Sequence, residues 1–246
     1  MLRDFSKEEF DIIIQAGQSN SEGCGQGDAQ HPFAPFDKIL HMEGDFSISL
    51  ASEKIWGNNI VGNYSHTFCE EYLKAGRLKE GRKLLVLKTS VGGTGFLDKR
   101  WGPQDDLYLR MMEMIKTALE LNPANRLVAL IWHQGETDAI LGATKQLHYD
   151  NLSGLVGSVR STFGCPALPF VAGDFVSHWK GKNLAICEPV VDAIKSVCAD
   201  IGYASFVETS ELLSNDQQIG NGDDIHFSRD ALNQLGVKYY IAYAGL

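Results

Sequence analysis

The stretch DIIIQAGQSN, residues 11–20, carries three consecutive isoleucines into a glycine and, two positions later, a serine. Apolar residues in succession, rather than in alternation, are the pattern of a strand covered on both faces. Such a strand needs a helical layer on each side, so this segment predicts a sheet inside two layers of helices. The rest of the chain repeats the theme. Short apolar runs at 10–16, 83–89, 126–133, 168–173 and 203–207 alternate with helical stretches at 65–79, 105–121, 145–163, 188–201 and 228–243. Ser228 is suited to cap the last of these, and Asp230 is favourable in its first turn. The alternation predicts a doubly wound α/β fold with a parallel sheet of about five strands.

Composition narrows the function classes. The chain has 246 residues, 44% hydrophobic and 22% charged, enough to bury a large core as one domain spanning 1–246. Its net charge of −9 disfavours nucleic acid and anionic membrane as partners, because both demand clustered positive charge. No apolar run reaches the roughly 18 residues of a membrane span, and the opening MLRDFSKEEFD lacks a basic segment followed by an apolar one. A cytoplasmic protein is the expectation. The five cysteines are scattered without a C-x-x-C pair and read as free thiols. One region fits the strand–helix scheme poorly: 23–63 is rich in Gly, Pro, Asn and Asp, with short extended candidates only at 39–42 and 46–50. Long irregular insertions of this kind are commonly functional.

In an open parallel sheet, ligands bind beyond the carboxyl ends of the strands. The residues that follow the strands are therefore informative. After the first come Gly17, Gln18, Ser19 and Asn20; after the second, SVGGTG at 90–95; after the third, QGETD at 134–138; and before the final helix, GDDIHF at 222–227. Together these supply a hydroxyl, an imidazole, carboxylates and an amide, the equipment of acyl transfer. A serine hydroxyl needs a base within hydrogen-bond reach, and the base needs a partner that fixes its tautomer. Ser19 is the candidate nucleophile, His226 the base and Asp223 its partner, since D-x-x-H lets a short loop turn the carboxylate onto the far ring nitrogen. Asp224 competes for that role but would have to bend back more sharply. An oxyanion also requires donors. The Ser19 amide, an amide from the Gly92–Gly93 turn and the Gln134 side chain are the candidates.

The blocks IIIQAGQSNSEG, TSVGGTG, IWHQGETD and GDDIHFS, in that order across nearly the whole chain, resemble the SGNH/GDSL hydrolase superfamily. They are similar, more narrowly, to its branch of sialate O-acetylesterases and the acetyl xylan esterases of carbohydrate esterase family six. The resemblance implies a flavodoxin-like three-layer α/β/α fold and a serine esterase that removes acetyl groups from a sugar without cofactor. It implies Ser19 as nucleophile, Asp223 and His226 as its partners, oxyanion contributions from Gly93 and Gln134, and a glutamate, Glu136, that assists the histidine. The wider superfamily carries an asparagine in its third block where this chain has Gln134.

Plainer readings exist for several of these residues. Ser19 and Glu22 fit the capping box S-x-x-E. Position 21 is serine, so the segment is not the G-x-S-x-G elbow of an α/β-hydrolase. The 90–95 turn lacks the G-K-[ST] ending of a phosphate loop. His133 and Glu136 lack a second ligand pair for a metal, which makes a packed histidine the expectation. Trp56 and Trp101 fall in irregular segments that can border a cleft, and Trp101 is the candidate to stack on a sugar ring.

Overall fold

The structure, a computed structural model, describes residues 4–246. It opens with β1 (Glu9–Gly17), the short helix α1 (Ser19–Glu22) and four small strands: β2 (Ile39–Met42), β3 (Ile48–Leu50), β4 (Lys54–Trp56) and β5 (Asn59–Val61). Then follow α2 (Tyr64–Lys74), β6 (Arg82–Lys88), α3 (Asp106–Glu120), β7 (Arg126–His133), α4 (Glu136–Ile140) and α5 (Lys145–Thr162). The last third holds β8 (Phe170–Gly173), α6 (Ser177–Lys182), α7 (Leu184–Asp200), β9 (Ala204–Val207), α8 (Asn215–Ile219) and α9 (Arg229–Ala244).

The main sheet has the order β3-β2-β6-β1-β7-β8-β9. Every neighbouring pair is parallel except β2 with β3. Successive strand residues point to opposite faces, and Ile12, Ile13 and Ile14 are all fully buried, so helices cover both faces of β1 as the isoleucine run requires. Among the helices, α2 lies against α9 and α5 against α7. The first contact is close. A Cβ on Gly236 of α9 would sit 2.0 Å from Thr67 Oγ1 and 2.1 Å from the Tyr64 carbonyl, so any larger residue there forces the helices apart.

The structure differs from the sequence expectation in its strands and in the limits and number of its helices. The sheet holds seven strands, because residues 39–42 and 48–50 of the irregular insertion join it as β2 and β3 beyond β6. The same insertion adds the two-stranded hairpin β4–β5. Helix α7 begins at Leu184, four residues ahead of the expected start, and carries Pro189 inside it. Helix α2 stops at Lys74, ahead of Gly76. Helices α4, α6 and α8 are short and fall in segments with no periodic signal.

The amino-terminal end of the sheet is fastened by a buried carboxylate. Asp11 of β1 accepts from Arg82 Nε of β6 at 2.7 Å, from Arg126 Nε of β7 at 2.7 Å and Nη2 at 2.9 Å, and from the Tyr72 hydroxyl at 2.8 Å. Burial pushes the Asp11 pKa up, but the bonds from Arg126, Tyr72 and Arg82 outweigh it and hold the group below the usual carboxylate value. Three adjacent strands are thereby pinned at the end opposite the one where Ser19 emerges. Cys24, Cys69, Cys187 and Cys198 are buried free thiols, with Cys165 half-buried. Among the described residues no helix is long and apolar enough to cross a membrane.

Candidate active site

The chain passes from β6 on one side of β1 to β7 on the other, so β1 stands where the winding reverses, the position at which a parallel sheet opens a crevice at its carboxyl end. Gly17 closes the strand there. Its φ is +132°, and a Cβ would meet the His133 carbonyl oxygen at 2.1 Å, so the turn into Ser19 requires glycine.

Ser19 opens α1, and its hydroxyl does not cap the helix: the N-cap is Gln18, which makes no side-chain cap bond. The Ser19 Oγ lies 2.9 Å from His226 Nε2, across 207 positions of chain. On the far side of the ring, His226 Nδ1 is 2.8 Å from Asp223 Oδ1 and 2.9 Å from Oδ2. A carboxylate there can only accept, which puts the proton on Nδ1 and leaves the Nε2 lone pair facing Ser19. Asp224 turns away to an ion pair with Lys182 at 3.0 Å. Burial raises the Asp223 pKa, while hydrogen bonds from His226 and Asn215 lower it further than burial lifts it, so the group stays ionised.

The loop carrying Asp223 and His226 is strapped to α8. Asn215 Nδ2 donates to Asp223 Oδ2 at 2.8 Å, the Asn215 amide donates to the His226 carbonyl at 2.8 Å, and the Asp216 amide donates to the Asp223 carbonyl at 2.8 Å. Ser214 and Gln217 form a full capping box at the start of this helix. No catalytic motif in the sequence singles out Asn215. The signal for it was the S-x-x-Q at 214–217, which announces a helix start just ahead of the D-x-x-H block.

The donors expected for an oxyanion divide. The Ser19 and Gly93 amides have no protein acceptor among the described residues. Gly92 does not join them: its N–H donates to Glu22 Oε2 at 2.9 Å, and Glu22 is paired with Lys54 at 3.0 Å. Gln134 is also committed elsewhere. Its Nε2 is 2.8 Å from Asp138 Oδ2, 3.3 Å from the Thr94 carbonyl and 3.4 Å from Gln18 Oε1, three acceptors for two hydrogens. Asp138 in turn accepts from the amides of Phe96 and Leu97 at 3.1 and 2.8 Å. Gln134 thus braces the loop after the Gly93 turn instead of offering a free donor.

Glu136 is fully buried and accepts from Asn20 Nδ2 at 2.9 Å; it makes no hydrogen bond to His226. Burial raises its pKa. His133 is the packed histidine expected, with Nδ1 2.5 Å from the Tyr239 hydroxyl and its pKa pushed down to about 3 by burial. No group of three metal-ligating side chains occurs among the described residues.

Trp101 cannot stack on a sugar. It is 0% exposed, donates from Nε1 to Thr94 Oγ1 at 3.0 Å and meets Trp132 edge-on. Trp56 is placed differently: it is 58% exposed at the end of β4 and lines a cavity of about 200 Å³ with Ser19, Gly92, Lys54 and His226. Alternation along β4 turns Lys54 and Trp56 toward this cavity, with Ile55 between them on the other face.

A family model described as "carbohydrate esterase, sialic acid-specific acetylesterase" matches residues 9–245. Solved structures are similar over nearly the whole chain. NanS superposes with a TM-score of 0.77 at 16% identity, covering 98% of both chains. A protein of Arabidopsis thaliana gives 0.73 at 20% identity, covering 96% of this chain and 98% of the other. XAC1771, described as a carbohydrate acetylesterase from Xanthomonas citri, gives 0.65 at 16% identity, covering 94% of this chain and 55% of its own.

Proposed function

The chain belongs to the carbohydrate esterase family of sialic acid-specific acetylesterases, and from that membership we propose that it removes O-acetyl groups from a carbohydrate through an acetyl-enzyme formed on Ser19. The observation that carries this reading is the unbroken hydrogen-bonded run from Ser19 through His226 to Asp223 at the mouth of a cavity.

In the first half-reaction His226 Nε2 takes the Ser19 proton as Oγ bonds to the acetyl carbonyl carbon. The carbonyl oxygen becomes an oxyanion, and the uncommitted amides of Ser19 and Gly93 are the donors that would meet it, each worth about 3–4 kcal/mol of barrier. Collapse breaks the ester bond, and the imidazolium gives its proton to the departing sugar oxygen. In the second half-reaction the same nitrogen takes a proton from water, which attacks the acetyl carbon; Ser19 leaves with the proton and acetate is released. Asp223, kept ionised, stabilises the imidazolium in both halves. No metal or organic cofactor enters these steps.

The substrate is an acetyl ester of a sugar, of the acetylated xylo-oligosaccharide or sialic acid kind, with Trp56 offering a face to its ring. A cytoplasmic setting would suit deacetylation of imported oligosaccharides. Ser19→Ala tests the reading. Turnover of 4-nitrophenyl acetate and of acetylated sugars is expected to vanish while the melting temperature stays close to that of the parent, and a fluorophosphonate probe should label the parent alone. Residual turnover in Ser19→Ala would reject the assignment.

A further inference from the structure

Glu136 and His226 share no hydrogen bond, yet one side chain joins them. Asn20 follows Ser19 in α1 and is fully buried. Its Nδ2 donates to Glu136 Oε1 at 2.9 Å and to the Ile225 carbonyl at 3.1 Å, and its Oδ1 accepts the Phe227 N–H at 3.0 Å. Ile225 and Phe227 flank His226. A single amide therefore grips the peptide on either side of the imidazole, while its own backbone carries the serine hydroxyl.

The orientation of that amide is fixed. Both Nδ2 hydrogens point at oxygens, so a rotated side chain would set its own oxygen against two acceptors and its nitrogen against a donor. Glu136 Oε1 holds this orientation from behind. The carboxyl accepts through Oε1 whether or not Oε2 carries a proton, and Oε2 is buried without a partner. Of the titratable groups around it, His133 brings Nε2 only to 3.9 Å from Oε1, and His226, Asp174, Cys24, Cys187 and Tyr239 sense it through space without a hydrogen bond. The His226 ring, by contrast, already has both nitrogens engaged, by Ser19 and Asp223.

We infer that Asn20 is a positioning residue that sets the separation of Ser19 and His226, and that Glu136 acts on the histidine through Asn20, as a hydrogen-bond acceptor and not as a charge. This rests on the reading that Ser19 and His226 perform the ester chemistry. A reacting pair displaced by about an ångström can lose on the order of 100-fold in rate, so a side chain that governs this one distance has leverage without touching substrate.

The test compares Glu136→Gln, Glu136→Leu, Asn20→Asp and Asn20→Ala in the full chain, with Ser19→Ala alongside. Glu136→Gln removes any charge at this position and keeps an acceptor for Asn20. It should hold kcat within about threefold of the parent and leave the midpoint of the pH profile unmoved, whereas Glu136→Leu and Asn20→Ala should lose on the order of 100-fold in kcat with KM little changed. The rate of Ser19 labelling by a fluorophosphonate should fall in parallel. If Asn20→Ala does not fold, Asn20→Asp carries the same arm, because it keeps the shape and the bond to Phe227 but meets the Glu136 and Ile225 oxygens with another oxygen. Parent-like kcat in either Asn20 variant overturns the inference. So does a Glu136→Gln variant as slow as Glu136→Leu with a displaced pH midpoint, the mark of a charge acting directly on His226. Turnover surviving in Ser19→Ala is a separate failure, of the esterase reading itself.

Discussion

Asp223→Asn is the substitution whose outcome the geometry specifies most closely. The parent carboxylate accepts on both oxygens, from His226 Nδ1 at 2.8 Å and from Asn215 Nδ2 at 2.8 Å. The introduced amide has one acceptor to share between these two donors. Asn215 cannot rotate to give way, because its own Oδ1 accepts the Gln26 amide at 2.7 Å. The amide oxygen is therefore drawn to Asn215, and its NH₂ faces Nδ1, which must accept. The ring proton moves to Nε2 and points at Ser19 Oγ, where a base needs a lone pair. A wrong tautomer of this kind costs about 10⁴ in kcat, or about 5.5 kcal/mol of barrier. Adding Asn215→Ala releases the amide to turn its oxygen toward His226. The bias it removes is one hydrogen bond, about 0.5–1.5 kcal/mol, so the double variant should regain about two- to tenfold over Asp223→Asn. Asn215→Ala alone should cost only a few fold. Initial rates on 4-nitrophenyl acetate with protein of verified folding measure all four. A double variant no faster than Asp223→Asn, or an Asp223→Asn variant within about tenfold of the parent, would refute this account of the tautomer.

Two further outcomes follow from the structure. Trp56→Ala should raise KM for an acetylated sugar by about 3- to 10-fold, the worth of one aromatic contact, and by more than it raises KM for 4-nitrophenyl acetate; equal effects on both would remove Trp56 from sugar contact. Asp11→Asn should destabilise the fold by about 3 kcal/mol at neutral pH, a fall in Tm of about 10 °C, because two guanidinium groups lose a buried partner. The Asp11 pKa is lowered in the folded state. Its contribution is therefore present above the unfolded pKa of about 3.9 and is lost as pH falls through the folded value, so parent and variant should converge in acid. Chemical denaturation between neutral pH and acid checks this, and a gap independent of pH would contradict the ion-pair origin.

What could be read from the sequence was whatever a period or a short spacing encodes. The run Ile12–Ile13–Ile14 required cover on both faces, and DIH at 224–226 preceded by Asp223 placed a carboxylate within one turn of an imidazole. Strands β2 and β3 were legible as extended pieces but not as sheet members, since pairing of Ile39 with Leu84 is a long-range choice that no local pattern expresses. Residue type, similarly, shows that a side chain can donate, never whether its donor is already taken. Gln134 and Gly92 have the chemistry and the place after strands that an oxyanion donor needs. Asp138 and Glu22 claim them, and both carboxylates lie inside the quoted blocks, Asp138 in that of Gln134 and Glu22 in that of Ser19.

The same limit explains the two tryptophans. Trp101 and Trp56 both fall in sequence without a periodic pattern, and nothing local separates them. Trp101 is drawn inward by Thr94, which satisfies its indole N–H and so removes the cost of burying it. Trp56 is carried outward on a hairpin whose base is held to the body by the Lys54–Glu22 pair and by the Gly25–Gly62 bridge. Glu22 thus performs two tasks at once: it fixes the Gly92 amide beside Ser19 and anchors the strand that presents Trp56. The turn that would hold the oxyanion and the hairpin that would hold the sugar share one carboxylate, which is how an insertion lying outside the repeated strand–helix scheme comes to be registered against Ser19.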